Sequence, residues 1–353
     1  MKMNNPVART SKTQLCNRIQ FMRNGSRKIS QICCSTTPSR QPTAVTRRTQ
    51  QGAAAFQAQR TSAAPSDRYK SMRKHPELFD TEQGWRTDWF PDELIRFQNS
   101  IGSGIESAVE QLVKEESSGI YSFPLFRVEF CNMLMEEMEN YCDSGLPIRR
   151  PNSMNNYGLV LNEIGMRDMI TQLQQQYLLP IAKTLFPVEG SQFDFHHSFI
   201  VKYKQGEDLG LDMHTDDSDV TFNVCLGREF TGAGLTFCGR SRTAAHRKFQ
   251  FKYPHVVGRC VVHLGSHRHG ADDLATGERN NLIIWNHNKR YRATGAHIGR
   301  SYEKEDGPPD PECLSFTHDR DYGHFRSYPP GKEHFKSRGW CPPPQYCYDE
   351  MRP

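Results

Sequence analysis

Near Asp194 the apolar residues of this chain stop recurring every three to four positions and begin to alternate. The runs "FDFHHSFIVKYK", "DVTFNVCLG", "GAGLTFCG", "HVVGRCVVHLG" and "RNNLIIWNH" are short, apolar or alternating, and separated by Gly, Asp and Asn turns. Side chains on a strand point alternately to its two faces, so period two over a few residues reads as half-buried strand. Five or more such strands in about a hundred residues predict a double-sheet jelly roll of cupin-like type.

Ahead of this change the pattern is helical. "TDWFPDELIRFQNSIGSGIESAVEQLVKE" reads as helix, with Ser100 and Gly102 marking a break. Cys131, Leu134, Met135, Met138 and Cys142 recur at helical spacing in a second run, stopped at Asp143 to Gly145. In a third, Leu173, Tyr177 and Ile181 share a face, and Pro180 predicts a kink. The expected fold is α+β, mainly β, with the helices as a packing layer.

Charge divides the chain further. Eleven of the 45 Lys/Arg, and none of the 40 Asp/Glu, precede residue 67, so the remainder carries 34 basic against 40 acidic residues. Residues 1–66 read as a disordered basic extension that doubles as a possible transit peptide. The expected organisation is that extension, a helical support region at 67–190, a core at 191–290 and an irregular tail at 291–353. The mildly acidic body argues against nucleic acid as a partner, and no apolar run approaches the roughly 20 residues that span a bilayer. Cys131, Cys142, Cys225, Cys238 and Cys260 read as small buried hydrophobes in a reducing compartment. The expected location is intracellular: cytoplasmic, or mitochondrial or plastid if the extension is a transit peptide.

Two stretches carry chemistry. In "HTDDSDVTFNVCLG", His214 and Asp216 are two apart. On an extended strand they face one side and can reach one metal, while Asp217 points away. In "VVHLGSHRHGADDLATGERNNLIIW", His263, His267 and His269 share parity, so spacing alone leaves the choice among them open. Two histidines and one carboxylate on one face hold Fe(II) and leave three positions free. Arg279 lies ten residues beyond His269, and a guanidinium on so apolar a strand needs an anionic partner. A polar turn between His269 and Arg279 would place the two on neighbouring antiparallel strands. Cys313, His318, His324, His334, Cys341 and Cys347 in the tail fit no common zinc spacing.

These segments, with "RPNSMNNYGLVL" at 150–161, resemble the iron- and 2-oxoglutarate-dependent dioxygenases of the prolyl 4-hydroxylase and lysyl hydroxylase type. Within them the resemblance is to the family of 2-oxoglutarate and iron-dependent oxygenase domain-containing protein two and its PKHD-type relatives. It implies a double-stranded β-helix, with His214, Asp216 and His269 as Fe(II) ligands and Arg279 as the anchor of the distal carboxylate of 2-oxoglutarate. Tyr203 and Asn223 match further co-substrate positions, and Asn155, Asn156 and Tyr157 match a motif without an assigned role. His267 is then a neighbour at the rim, and His263 ends the preceding strand. The implied activity is hydroxylation of a protein or peptide, at a prolyl or lysyl side chain, with O2 and L-ascorbate. The alternative is a cupin-like module that binds without turnover.

Overall fold

The computed structural model describes residues 64–240 and 249–298. The strands are β1 (Lys114–Ser117), β2 (Ile120–Pro124), β3 (Gly158–Val160), β4 (Phe195–Lys204), β5 (Leu211–His214) and β6 (Val220–Gly227). They continue with β7 (Phe230–Gly232), β8 (Leu235–Arg240), β9 (Phe249–Tyr253), β10 (Arg259–Leu264), β11 (His267–Ala271) and β12 (Leu274–His287). One sheet has the order β1-β2-β10-β6-β12-β4-β3, with β7 paired to the start of β12; the other has the order β5-β11-β8-β9. Every pairing is antiparallel.

From β4 onward the chain passes between the two sheets. β4, β6, β10 and β12 lie in the larger sheet, and β5, β8, β9 and β11 in the smaller. That winding is a double-stranded β-helix, the jelly roll expected from the strand pattern. All five strands anticipated from the alternating runs are present.

β6 is buried at every position, yet it is not uniformly apolar. Val220, Phe222, Val224 and Leu226 join the core beneath the helices. Thr221 and Asn223, of opposite parity, line the cleft between the sheets. β12 divides the same way: Leu282 and Ile284 face the helical layer, while Arg279, Asn281, Ile283 and Trp285 line the cleft. A strand buried on both faces is ordinarily a continuous apolar run. The polar residues of one parity therefore mark the face that surrounds a site.

The helical layer comprises α1 (Asp92–Ser100), α2 (Ile105–Leu112), α3 (Val128–Asp143), α4 (Arg167–Leu173) and α5 (Leu179–Leu185), with shorter turns between them. A 3-10 turn, Ile101–Ser103, occupies the break expected near Gly102. At Pro180 the kink takes the form of a π turn over Gln174–Leu178. Pro180 has no N–H for the carbonyl four residues earlier, and the widened turn relieves the clash. On α3, Cys131, Leu134, Met135 and Met138 are buried as expected, but Cys142 is exposed. In that last turn Tyr141 takes the inward position, its ring against Tyr69. Cys131, Cys225, Cys238 and Cys260 are buried.

The region 67–190 is not helical throughout. It supplies β1 and β2, which extend the larger sheet beyond β10, and β3, which extends it beyond β4. These strands are too short for local periodicity to register. The expectations for residues 1–63, and for the tail with its six Cys and His residues, lie outside the described residues. No helix among the described residues is long and apolar enough to cross a membrane.

His196 fastens α4 to the larger sheet. Its Nδ1 lies 2.8 Å from Ser198 Oγ, and its Nε2 lies 3.1 Å from Thr171 Oγ1 and 3.2 Å from the Arg167 carbonyl. Burial pushes its pKa down to about 4, against a partial opposing effect of the Arg167 carbonyl. The folded state thus holds His196 neutral, while the unfolded chain takes up a proton near pH 6.5. Stability is fully present above about pH 6.5 and is lost as the pH falls toward about 4. Urea titrations across this window should show that loss, with a shallower slope in His196→Gln; equal slopes would contradict the assignment.

Candidate metal centre

His214 closes β5, and Asp216 sits in the loop that follows, ahead of β6. The pair does not share a strand, contrary to the expectation from i, i+2 spacing: β5 ends at His214, and the turn into β6 aims the carboxylate. His269 lies on β11 directly opposite His214. The three are brought together: their ligand atoms all lie within 4.8 Å of one another. His214 Nε2 is 3.3 Å and His269 Nε2 3.6 Å from Asp216 Oδ1. Two ligand atoms each about 2.1 Å from one ion, on perpendicular bonds, stand about 3 Å apart. This donor set therefore suits a six-coordinate divalent ion held on one face.

Each ligand is fixed from behind. Thr221 donates its hydroxyl to Asp216 Oδ2 at 2.6 Å. The Asp216 N–H donates to the Gly265 carbonyl at 2.9 Å. A Cβ at Gly265 would lie 1.9 Å from the Ser218 carbonyl oxygen, so only glycine permits this approach. His269 Nδ1 lies 2.9 Å from the His267 carbonyl and must carry the proton, which leaves the Nε2 lone pair free for a metal. Burial pushes His269 down to about 4, opposed in part by Asp216, so the ring is neutral at pH 7. Burial raises the Asp216 carboxyl, and positive charge on the facing imidazoles of His269 and His214, when they are protonated, pulls it below the usual carboxylate range.

The other two histidines of the stretch lie outside this cluster. His263 is buried on β10, with its ring centroid 4.5 Å from that of His269. His267 is not at the rim as expected but fully buried, its Nε2 2.8 Å from Gln250 Oε1. The irregular register between His267 and His269 separates their environments.

Arg279 lies on β12 in the larger sheet and His269 in the smaller, so they are not on neighbouring strands as expected. They line one cleft across the space between the sheets. β12 begins before Gly277, whose φ of +81° and close approach to the Glu229 carbonyl belong to an irregular rung against β7. Arg279 is 2% exposed. Its guanidinium stacks 4.5 Å from the Tyr203 ring centroid and donates to the Ala233 carbonyl. Its Nε has no hydrogen-bond partner among the described residues. Asp272, the local acid that could have neutralised it, instead pairs with Lys252 at 2.6 Å and Thr236 at 2.7 Å.

Tyr203 and Asn223 both line the cleft. Asn223 Oδ1 accepts from Asn281 Nδ2 at 2.6 Å. Asn155 gains a position it lacked in the sequence: it is buried, lines the cleft and donates to Tyr203 Oη at 3.2 Å. Thr221, Asn281 and Trp285 are cleft residues that periodicity did not single out. The available signal was polar or aromatic residues of one parity in apolar strands.

The fold and this donor set define the class: a double-stranded β-helix with a two-histidine, one-carboxylate centre facing a buried arginine. Residues 67–191 match the OGFOD2-like domain. Human 2-oxoglutarate and iron-dependent oxygenase domain-containing protein 2 is 42% identical over 215 residues, covering 60% of this chain and 61% of that protein. Rat multifunctional procollagen lysine hydroxylase and glycosyltransferase LH3 is 27% identical over 231 residues, covering 61% of this chain and 29% of that protein. Among solved structures, a Pseudomonas putida prolyl-4-hydroxylase gives a TM-score of 0.36 at 15% identity, covering 55% of this chain and 98% of that one. The resemblance read from the sequence is borne out: residues 67–191 match the OGFOD2-like model, and relatives similar to this chain are named as 2-oxoglutarate and iron-dependent oxygenases. The chain spans roughly half to three fifths of the length of the first such relatives.

His269→Ala should abolish stoichiometric Fe(II) binding in anaerobic titrations. His267→Ala should lower thermal stability and retain the metal. Thr221→Val should weaken the metal by about 10- to 100-fold, the usual cost of losing a group that orients a ligand. Tight binding by His269→Ala would remove it from the ligand set.

Proposed function

We propose that the chain is an Fe(II)- and 2-oxoglutarate-dependent dioxygenase that hydroxylates a prolyl or lysyl side chain of a protein or peptide. One observation carries this reading: a three-ligand centre and a buried, incompletely paired arginine line the same cleft from opposite sheets. A metal-only role would leave Arg279 without a purpose, since burial of a guanidinium that stays charged is unfavourable without an anionic partner.

His214, Asp216 and His269 would hold the iron. Arg279 would hold the distal carboxylate of 2-oxoglutarate, with the Tyr203 ring fixing its plane. Asn223 and Asn281 form a polar pair beside the path between the two ends. With 2-oxoglutarate and O2, bound Fe(II) supplies the oxidation of a substrate C–H to C–OH, with release of succinate and CO2. The protein's part is coordination, orientation and exclusion of water by Val201, Leu211, Leu235 and Ile283. No side chain need carry a proton in this scheme. Ascorbate would serve as the reductant that returns oxidised iron to Fe(II). The relatives' names as oxygenases and as a procollagen lysine hydroxylase support the reaction and the protein substrate.

Succinate release from 2-oxoglutarate by Fe(II)-loaded protein tests the reading. Release above a His269→Ala background is expected; binding of both ligands without any release would indicate a binding module. Arg279→Ala should raise the 2-oxoglutarate Kd by about 30-fold or more, as for removal of one partner of a buried charge pair, with Fe(II) affinity nearly intact. Unchanged co-substrate affinity would refute the anchor.

A further inference from the structure

The cleft has two chemically distinct ends. Along β12 the inward positions run Arg279, Asn281, Ile283, Trp285. Arg279 pairs in register with Tyr203, at the charged end. Trp285 pairs with His197 on one side and with Thr221, which holds Asp216, on the other. The metal-proximal end is thus aromatic. Trp285 and Phe199 lie 4.9 Å apart edge to face, and His197 lies 4.8 Å from Phe199 and 5.9 Å from Trp285. If Arg279 takes the co-substrate's far carboxylate, this aromatic end is left for the substrate.

Its charge inventory is decisive. Among the described residues, Asp216 is the one acid lining the cleft. Its Oδ1 faces the two imidazoles and its Oδ2 accepts from Thr221. The acids nearby are engaged elsewhere. Asp208 accepts twice from Asn156, at 2.7 and 3.0 Å, Asp217 pairs with Arg292 at 3.0 Å, and Asp272 pairs with Lys252. A lysyl ammonium entering here would be desolvated, and none of the described residues lining the cleft offers it a free carboxylate. Desolvation of an ion costs several kcal/mol. Stacking on an aromatic face returns about 2 kcal/mol or somewhat more for a desolvated cation, short of the several lost, so the balance is against a cation.

The same wall carries an unmet donor. Trp285 Nε1–H is buried and has no hydrogen-bond partner among the described residues. A buried donor left unpaired is unfavourable, and a peptide carbonyl would satisfy it. We propose, on the footing of the oxygenase reading above, that this site selects an uncharged side chain and rejects lysine, with Trp285 as the specificity residue that takes a substrate backbone carbonyl. A prolyl residue suits such a wall, since it offers an apolar ring and a carbonyl and brings no N–H of its own.

Full-length protein loaded with Fe(II), 2-oxoglutarate and O2 would be given peptide libraries with randomised flanks and a central proline, norleucine or lysine. The +16 product is read by mass, alongside succinate released without peptide. Product from the proline or norleucine library at ten times or more the lysine yield is expected. Lysine product at an equal or higher yield overturns the proposal, as does succinate release with no product from any library. Absence of succinate altogether refutes the oxygenase reading instead. Equilibrium binding of a fluorescein-labelled peptide from the productive library gives a second readout. Trp285→Phe keeps the ring, removes the N–H and should weaken that peptide about fivefold, as for one hydrogen bond; an unchanged Kd would remove Trp285 from recognition.

Discussion

A carboxylate buried between two imidazoles organises this molecule. The Asp216 side chain is 3% exposed, and its charge must be met by neighbours. Thr221 and the backbone at Gly265 orient it, and His214 and His269 face it from the smaller sheet. With His269 neutral at physiological pH, its Nε2 lone pair and the Asp216 carboxylate are both electron-pair donors aimed at one point, an arrangement suited to a cation. Much of the architecture serves that arrangement. β5 and β11 must pair so that the two imidazoles meet, β6 must present Thr221 inward, and residue 265 must lack a side chain.

The larger sheet answers from the other side of the cleft. Its outward face is conventional core under the helices, and its inward face carries Arg279, Asn281, Asn223 and Thr221 in place of the apolar residues that burial would favour. The guanidinium of Arg279 and the carboxylate of Asp216 are two buried charges set apart across one cleft. A small dicarboxylate chelating a divalent ion satisfies both at once. That reciprocity, more than either element alone, is the physical basis for the proposed chemistry. The aromatic end near Trp285 is what remains to define the substrate.

The sequence made the double-sheet fold legible because period two is a local property, and β4, β6, β8, β10 and β12 each carry it. It did not reveal β1, β2 and β3, whose place in the sheet depends on partners more than a hundred residues away for β2, or on only three residues for β3. His214, Asp216, His269 and Arg279 were singled out through resemblance and line one cleft, while the local geometry expected for them differs from the one the fold adopts. A strand shared by His214 and Asp216, and a hairpin joining His269 to Arg279, gave way to a strand end with its loop and to two facing sheets. Periodicity specifies which side of a strand a residue occupies, but not which strand it meets across the interior. For the same reason Thr221, Asn281 and Trp285 passed as members of apolar runs, and Asn155 as a motif without a role.

The binding positions of a metal and of the co-substrate test the proposed chemistry most directly. Crystals soaked anaerobically with Mn(II) and 2-oxoglutarate, with anomalous data at the manganese edge, would show them. The prediction is one anomalous peak about 2.1 Å from His214 Nε2, Asp216 and His269 Nε2, with the distal carboxylate on Arg279. A peak held by other residues, or a co-substrate whose distal carboxylate avoids Arg279, would contradict the account.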